Sequence, residues 1–264
     1  MQRFDFGVAF RLRRTTSKLR SSRKIVIGAC LAAWFGMVAA ATESPAAEAQ
    51  AAFDEGRYQS AAELAEALAT ADGLALAAEA LAVYGHYVAP ENERLAVLER
   101  ANQLAEQAVE LDPTNAEARF QLAHAMARYA QHIGPVQALR QGFVGRSRES
   151  IEAILQLDPD MAEARLSLAS WHADVVAGAG RLLGRTLYGA TRDAAIEHYE
   201  RTLELAPDEK IAYYEFGRAL AAMGRRHRDR AREMLAWAVE LPAHNHFDEL
   251  IHERAVAELA QLDR

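Results

Sequence analysis

An all-α solenoid of antiparallel helix pairs is the fold that this chain of 264 residues predicts, on three observations. The chain is rich in alanine, poor in β-branched residues and sparing of breakers, with seven prolines and fifteen glycines, a balance that favours helix throughout. No period-two alternation bounded by turn residues marks a strand. One segment also occurs twice: AEARFQLAHAM (Ala116–Met126) and AEARLSLASWH (Ala162–His172) lie 46 residues apart and follow VELDPTN and LQLDPDM.

The N-terminus comes first. Residues 1–41 hold eight basic residues against one acid, Asp5, and then an uncharged run, Ile25–Ala41, that closes on Ala39-x-Ala41. A basic region, an apolar region and a small-residue site read as a secretory signal peptide. The alternative is an uncleaved signal anchor in the inner membrane, for which 17 apolar residues are marginal. Cys30 follows Ile-Gly-Ala too early in the run for lipidation. Beyond residue 41, the whole chain's 30 basic and 37 acidic residues become 22 and 36, a net of −14, and no cysteine is left. Such a domain offers no disulfide or cysteine metal site, and its charge argues against nucleic acid or anionic lipid as a partner, which leaves only the N-terminal segment for the membrane. Residues 42–52 read as a linker running into the first helix, and 53–264 as the repeat domain.

Within the repeats, Phe120, Leu122, Ala123 and Met126 share adjacent faces of one helix. Leu111-Asp112-Pro113 ends the helix before it, because proline disfavours helix in the preceding residue. Each copy therefore reads as helix, tight turn, helix. The second helices carry Ala101-x3-Ala105-x2-Ala108-x4-Pro113, then Ser147-x3-Ile151-x2-Ile154-x4-Pro159 and Ala195-x3-Tyr199-x2-Thr202-x4-Pro207. A shortened copy is Ala231-x3-Leu235-x2-Ala238-x3-Pro242. An N-terminal copy turns at Gly56 and continues through Ala61, Ala65 and Leu68. Small residues at these places let helix axes approach to about 8–10 Å.

These residues resemble the tetratricopeptide repeat, which pairs two helices in about 34 residues. Its first-helix frame appears as Leu122-Ala123-x2-Met126, Leu168-Ala169-x2-His172 and Phe216-Gly217-x2-Leu220. The resemblance implies a right-handed solenoid closed by a capping helix at Phe247–Leu262. The excess over that period falls in two enlarged loops between paired helices, Ala127–Arg146 and Ala173–Ala194. Their apolar residues Leu139, Phe143, Leu182, Leu183, Leu187 and Tyr188 predict short helices packed on one side of the array. More narrowly, the LDP-x-x-AEA units, Trp171-His172 with its Gly/Leu-rich sequel and the C-terminal VELPAHNHFDELIHERAVAELAQL resemble bacterial relatives of the regulator of microtubule dynamics family. Microtubule binding is not carried over to an acidic chain with such a leader.

No specific catalytic constellation is present. Gly178, Gly180, Gly184 and Gly189 match neither the phosphate loop nor the dinucleotide fingerprint, and no strand precedes them. His244 and His246, with Asp248, Glu249 and His252, raise a metal site, but the same residues suit a helix start. Neither a metal nor a cofactor is expected. GRRHRDRAR (Gly224–Arg232), the one basic cluster past the leader, reads as a solvated helix end.

In a tetratricopeptide array the first helices line a concave groove. By resemblance its lining is Glu117, Phe120, His124 and Arg128; then Glu163, Leu166, Ser170 and Ala173; then Ile211, Tyr214, Arg218 and Ala221. Aromatic, cationic and polar residues in alternation suit an extended peptide or a helix. The expected function is a non-enzymatic exported adaptor, in the periplasm or held at the inner membrane by residues 25–41, binding a protein or peptide of the cell envelope. Two alternatives stay open. One is a small-molecule-binding accessory subunit whose pocket the enlarged loops close. The other is an enzyme using His124 and His172, which would need an acid within hydrogen-bond reach of one of them.

Overall fold

The described residues of this computed structural model are 44–264, and they contain twelve α-helices and no strand. The signal-peptide or anchor assignment of residues 1–41 lies outside them. The helices pair as α1 (Pro45–Asp54) with α2 (Tyr58–Glu66), and α3 (Ala71–Val83), extended by a π-turn over Tyr84–Val88, with α4 (Glu91–Leu111). Next, α5 (Ala116–Ile133) pairs with α7 (Phe143–Leu157), with the short α6 (Pro135–Arg140) between them. Then α8 (Ala162–Tyr188) pairs with α9 (Arg192–Leu205), and α10 (Lys210–Met223) with α11 (Arg228–Glu240). The cap, α12 (His246–Leu262), packs on α10 and α11. The first helix starts at Pro45, with the Ser44 hydroxyl accepting from Ala47 N–H, so most of the expected linker is helix.

The small-residue frame does what close packing requires. All twelve of its positions on α4, α7, α9 and α11 are buried: Ala101, Ala105 and Ala108; Ser147, Ile151 and Ile154; Ala195, Tyr199 and Thr202; Ala231, Leu235 and Ala238. Between them stand fully buried aromatics such as Trp171 and the stacked pair Tyr199–Phe216, with ring centroids 4.8 Å apart. Each such ring contributes about 2–3 kcal/mol by leaving water.

The duplicated A-E-A-R segment has a local cause. Asp112 accepts from the Thr114 hydroxyl and backbone N–H, which together hold its carboxyl below the usual range. The arginine of each copy then reaches back over the turn. Arg119 Nε donates to the Pro113 carbonyl at 2.6 Å, and Arg165 Nε and Nη2 donate to the Pro159 carbonyl at 3.2 and 3.0 Å. The repeated arginine is thus a clip across each LDP turn.

The two ends of the array meet. His246 Nδ1, at the start of α12, lies 3.1 Å from the Tyr58 hydroxyl on α2. Phe247 packs edge-on against Tyr87 at 5.5 Å, and the Arg254 guanidinium lies 4.5 Å over the same ring. The expected cap is present, and besides covering α10 and α11 it touches the first two pairs.

Both enlarged segments are helical. The first forms α6 and returns Phe143 and Ala138 to a small cluster with Met126 and Ala130. The second prolongs α8, which kinks at Gly180 (φ 80°, ψ 161°), a conformation open to glycine alone. Leu182, Leu183 and Leu187 are 75, 52 and 67% exposed. This corrects the expectation that they pack on the array: of the apolar residues in this segment beyond the kink, Tyr188 and Ala190 rest on the core and the three leucines do not.

Candidate functional site

The residues expected to line a groove stand on the first helices, and most of them are buried. Phe120, His124, Arg128, Glu163, Leu166, Ser170, Ala173, Ile211 and Tyr214 are all buried, Glu117 and Ala221 are half-buried, and the Arg218 side chain keeps 17% of its exposure. Glu117 accepts from Gln121 at 3.0 Å on its own helix, and the Ser170 hydroxyl shares a 2.9 Å hydrogen bond with Tyr199.

The N-terminal part of this face is filled by a cationic, aromatic cluster. Arg128 Nε donates to His124 Nε2 at 3.2 Å, Nη1 reaches His86 Nε2 at 3.2 Å and Gln131 Oε1 at 3.1 Å, and Nη2 donates to the Tyr87 hydroxyl at 3.3 Å. An arginine donates only, so both imidazoles accept and stay neutral. Burial, reinforced by Arg128, pushes the pKa values of His86 and His124 well below the ordinary histidine range. His124 Nδ1 then donates to Gln121 Oε1 at 3.2 Å, and His86 Nδ1 lies 3.3 Å from His132 Nε2. Sequence reasoning missed His86, Tyr87 and Arg254 here. No spacing signal marks them: His86 and Tyr87 come from the π-turn of the preceding pair, and Arg254 arrives through the long-range closure by α12.

The C-terminal part is open. A cleft of about 170 Å³ lies between the C-terminal halves of α8 and α10 and the first residue of α9. Its apolar wall includes Val176, Ala219, Ala222 and Met223; its polar side is Asp174, Arg192 and Arg218. Arg218 donates to Glu215 at 2.7 Å and lies 3.6 Å from Asp174, so its charge is matched. Beneath them burial, and then the Glu215 charge, push the Tyr199 phenol well above its usual pKa. Arg192 differs: its Nε has no hydrogen-bond partner, and it forms no ion pair with a carboxylate among the described residues. The second enlarged segment passes the cleft at Ala177 and Gly178, within α8, and again at Arg192, the first residue of α9, so it borders the cleft. Of the expected residues, Ala173 and Arg218 line the cleft; Asp174 and Arg192 were missed.

The other candidates resolve into structure. His172 Nδ1 accepts from Thr191 N–H at 3.3 Å, and its ring stacks on His198 at 5.7 Å. Burial, and then the neighbouring His198, lower its pKa to about 4. His124 and His172 thus have different partners, and neither hydrogen-bonds a carboxylate. His246 belongs to the closure, while Asp248 accepts from His244 N–H at 2.7 Å. Among the described residues no three His, Cys, Asp or Glu side chains converge on a metal position. In the basic cluster, Arg230 pairs with Glu200 at 2.6 Å, Arg232 with Asp263 at 2.8 Å, and Arg228 donates to the Leu262 carbonyl. The cluster ties α11 to α9 and to the end of α12.

Two neighbouring acids, Glu209 and Asp248, are raised by burial. Burial, followed by Asp248 and Glu163, raises the Glu209 carboxyl to about 8.

The comparisons with known proteins agree with this architecture. The profile of the family described as regulator of microtubule dynamics protein 1-3 matches residues 46–263. No curated protein matches the sequence. Among solved structures, a thermophilic tetratricopeptide protein of Thermus thermophilus is similar, with a TM-score of 0.58 and 16% identity, covering 81% of this chain and 97% of that one. At that identity the likeness concerns the fold.

Proposed function

Because the chain belongs to the regulator of microtubule dynamics protein 1-3 family and folds as a tetratricopeptide-like solenoid, we propose that it is a non-enzymatic scaffold that holds a segment of another protein at the cleft between α8 and α10. Folds of this kind serve protein interaction in general, and the finer reading rests on Arg192. A guanidinium whose Nε has no partner, beside an apolar wall, suits an acidic side chain of a bound segment together with its aliphatic neighbour. The wider inner face offers less, since His124, Arg128 and Tyr214 are buried and His124 and Arg128 spend their polar atoms internally. With the leader read as an export signal, the partner is a protein of the cell envelope.

The test is affinity recovery from the cell envelope with the full chain tagged at its C-terminus, beside Arg192→Glu and Ala177→Trp variants. These positions spare the ion pairs of Arg218 and the buried Tyr214. A protein retained by wild type and lost from both variants supports the cleft. Equal retention by all three moves the interface elsewhere. If nothing is retained, the small-molecule reading takes precedence, since the second enlarged segment already borders the cleft. A thermal-shift screen of small carboxylates then follows.

A further inference from the structure

Past the kink at Gly180, α8 ends in two helical turns whose leucines face water. The other large apolar residues exposed among the described ones are single and scattered, such as Leu111, Leu157 and Trp237. Leu182, Leu183 and Leu187 instead fall within six residues. At about 100° per residue, these three and the exposed Thr186 span an arc of about 140°. Arg181 and Arg185 are also exposed and lie together along one edge of that arc. Gly184 and Tyr188 turn inward, Gly184 toward Val176 and Tyr188 toward the core. Tyr188 is pinned at its carbonyl, which accepts from Arg148 Nη1 at 2.6 Å.

Local charge runs against the balance of the domain. No acidic residue occurs between Asp174 and Asp193, where Arg181, Arg185 and Arg192 stand, nor between Glu117 and Glu149, where Arg140, Arg146 and Arg148 stand. These two acid-free stretches overlap most of the enlarged segments, and they meet at the Arg148–Tyr188 contact. The net charge past residue 41 argues against an anionic surface, but a field acts over about 8 Å at physiological salt, so an exposed tip is governed by its own arginines.

We propose that this tip is a membrane-interface element that docks on a bilayer containing anionic lipid. The leucine arc enters the boundary between headgroups and acyl chains, and Arg181 and Arg185 extend to lipid phosphates. An apolar arc this wide would expose too much surface to be idle. A second copy of the same tip is a poor occupant, since it would bring like charges together with no acid to pair them.

The full chain carrying Cys30→Ser and Thr186→Cys is labelled at residue 186 with a polarity-sensitive nitrobenzoxadiazole dye. It is mixed with vesicles of phosphatidylcholine alone, or of phosphatidylcholine and phosphatidylglycerol in equal parts. Entry of the arc into the interface should raise the emission roughly two- to threefold and shift it to the blue on the anionic vesicles. High salt should reverse the change, and Arg181→Glu/Arg185→Glu or Leu182→Ser/Leu187→Ser should abolish it while leaving the circular dichroism melt unmoved. Any insertion of residues 25–41 would be common to both vesicle types, so the difference between the two reads the arc. Unchanged emission on anionic vesicles, or an equal rise on neutral ones, overturns the proposal. So does a rise with protein concentration in the absence of lipid, which would make the face a self-interface, or a rise produced only by an acidic protein.

Discussion

The two enlarged segments occupy the same place in successive repeats, between a first helix and its partner, and both lack acidic residues over most of their length. They end differently. The first turns back at once: α6 is six residues long, and Phe143, 9% exposed, joins Met126, Ala130 and Ala138. The second continues outward as helix, kinks at Gly180 and leaves three leucines in water. The contrast shows that an apolar residue in an insertion reports order without reporting burial. Burial needs a facing surface; Phe143 finds one along α5, whereas the three leucines of the second segment do not.

The largest effect expected from this contrast is on stability. Phe143→Ala should cost about 2–3 kcal/mol through lost burial and a cavity in the small cluster, read as a lower urea midpoint by circular dichroism. A change under half of that would mean that α6 is not seated as described.

Next come the two glycine hinges. Gly180→Ala should cost about 2 kcal/mol, because φ 80° with ψ 161° is closed to a Cβ. Gly142→Ala, at φ 70° and ψ 15° with open space around the added carbon, should cost about 1 kcal/mol. Thermal melts of the pair check the order, and a reversed order would argue that α8 runs straight through Gly180.

The third effect depends on pH. His172 holds the return of the second segment by accepting from Thr191 N–H, and its pKa in the fold is about 4 against 6.5 in the unfolded chain. The folded state therefore binds fewer protons. The contribution is complete above pH 6.5 and is lost as pH falls toward 4, by on the order of 3 kcal/mol. His172→Asn keeps an acceptor at the Nδ1 position and removes the titration, so its urea midpoint should vary less over this window. An unchanged slope would place the pH dependence at His86 and His124 instead. Glu209 acts in the opposite sense. Its raised pKa makes stability fall as pH climbs from 4.5 to about 8, and Glu209→Gln should flatten that limb.

The smallest effect is the sharpest test of exposure. Leu182→Ser with Leu187→Ser should move stability by no more than about 0.5 kcal/mol, although two large apolar residues are removed. A loss comparable to that of Phe143→Ala would show that the leucines are covered in solution.

Much of the fold was legible in advance because its determinants are local. Proline in LDP stops a helix through the chain's own sterics, Asn115 and Thr191 cap helices three residues away, and small residues at fixed spacing mark where axes must approach. The candidate site was legible only in part. The resemblance to the tetratricopeptide repeat placed His124, Arg128 and Arg218 on the inner face but not their neighbours. Arg254 and Tyr87 lie far apart in sequence and meet because the curvature accumulated over five helix pairs brings α12 onto the first two pairs. Arg128 is spent on His124 and Gln131 of its own helix and on His86 and Tyr87 of the preceding pair, and the closure adds Arg254 over the Tyr87 ring. On its own, the sequence determined the helices, their pairing and the place of each insertion, since these follow from propensity and spacing over a few turns. Which parts of the inner face are filled, where a cleft stays open and which leucines meet water were decided by tertiary structure, because burial depends on surfaces contributed from elsewhere in the chain.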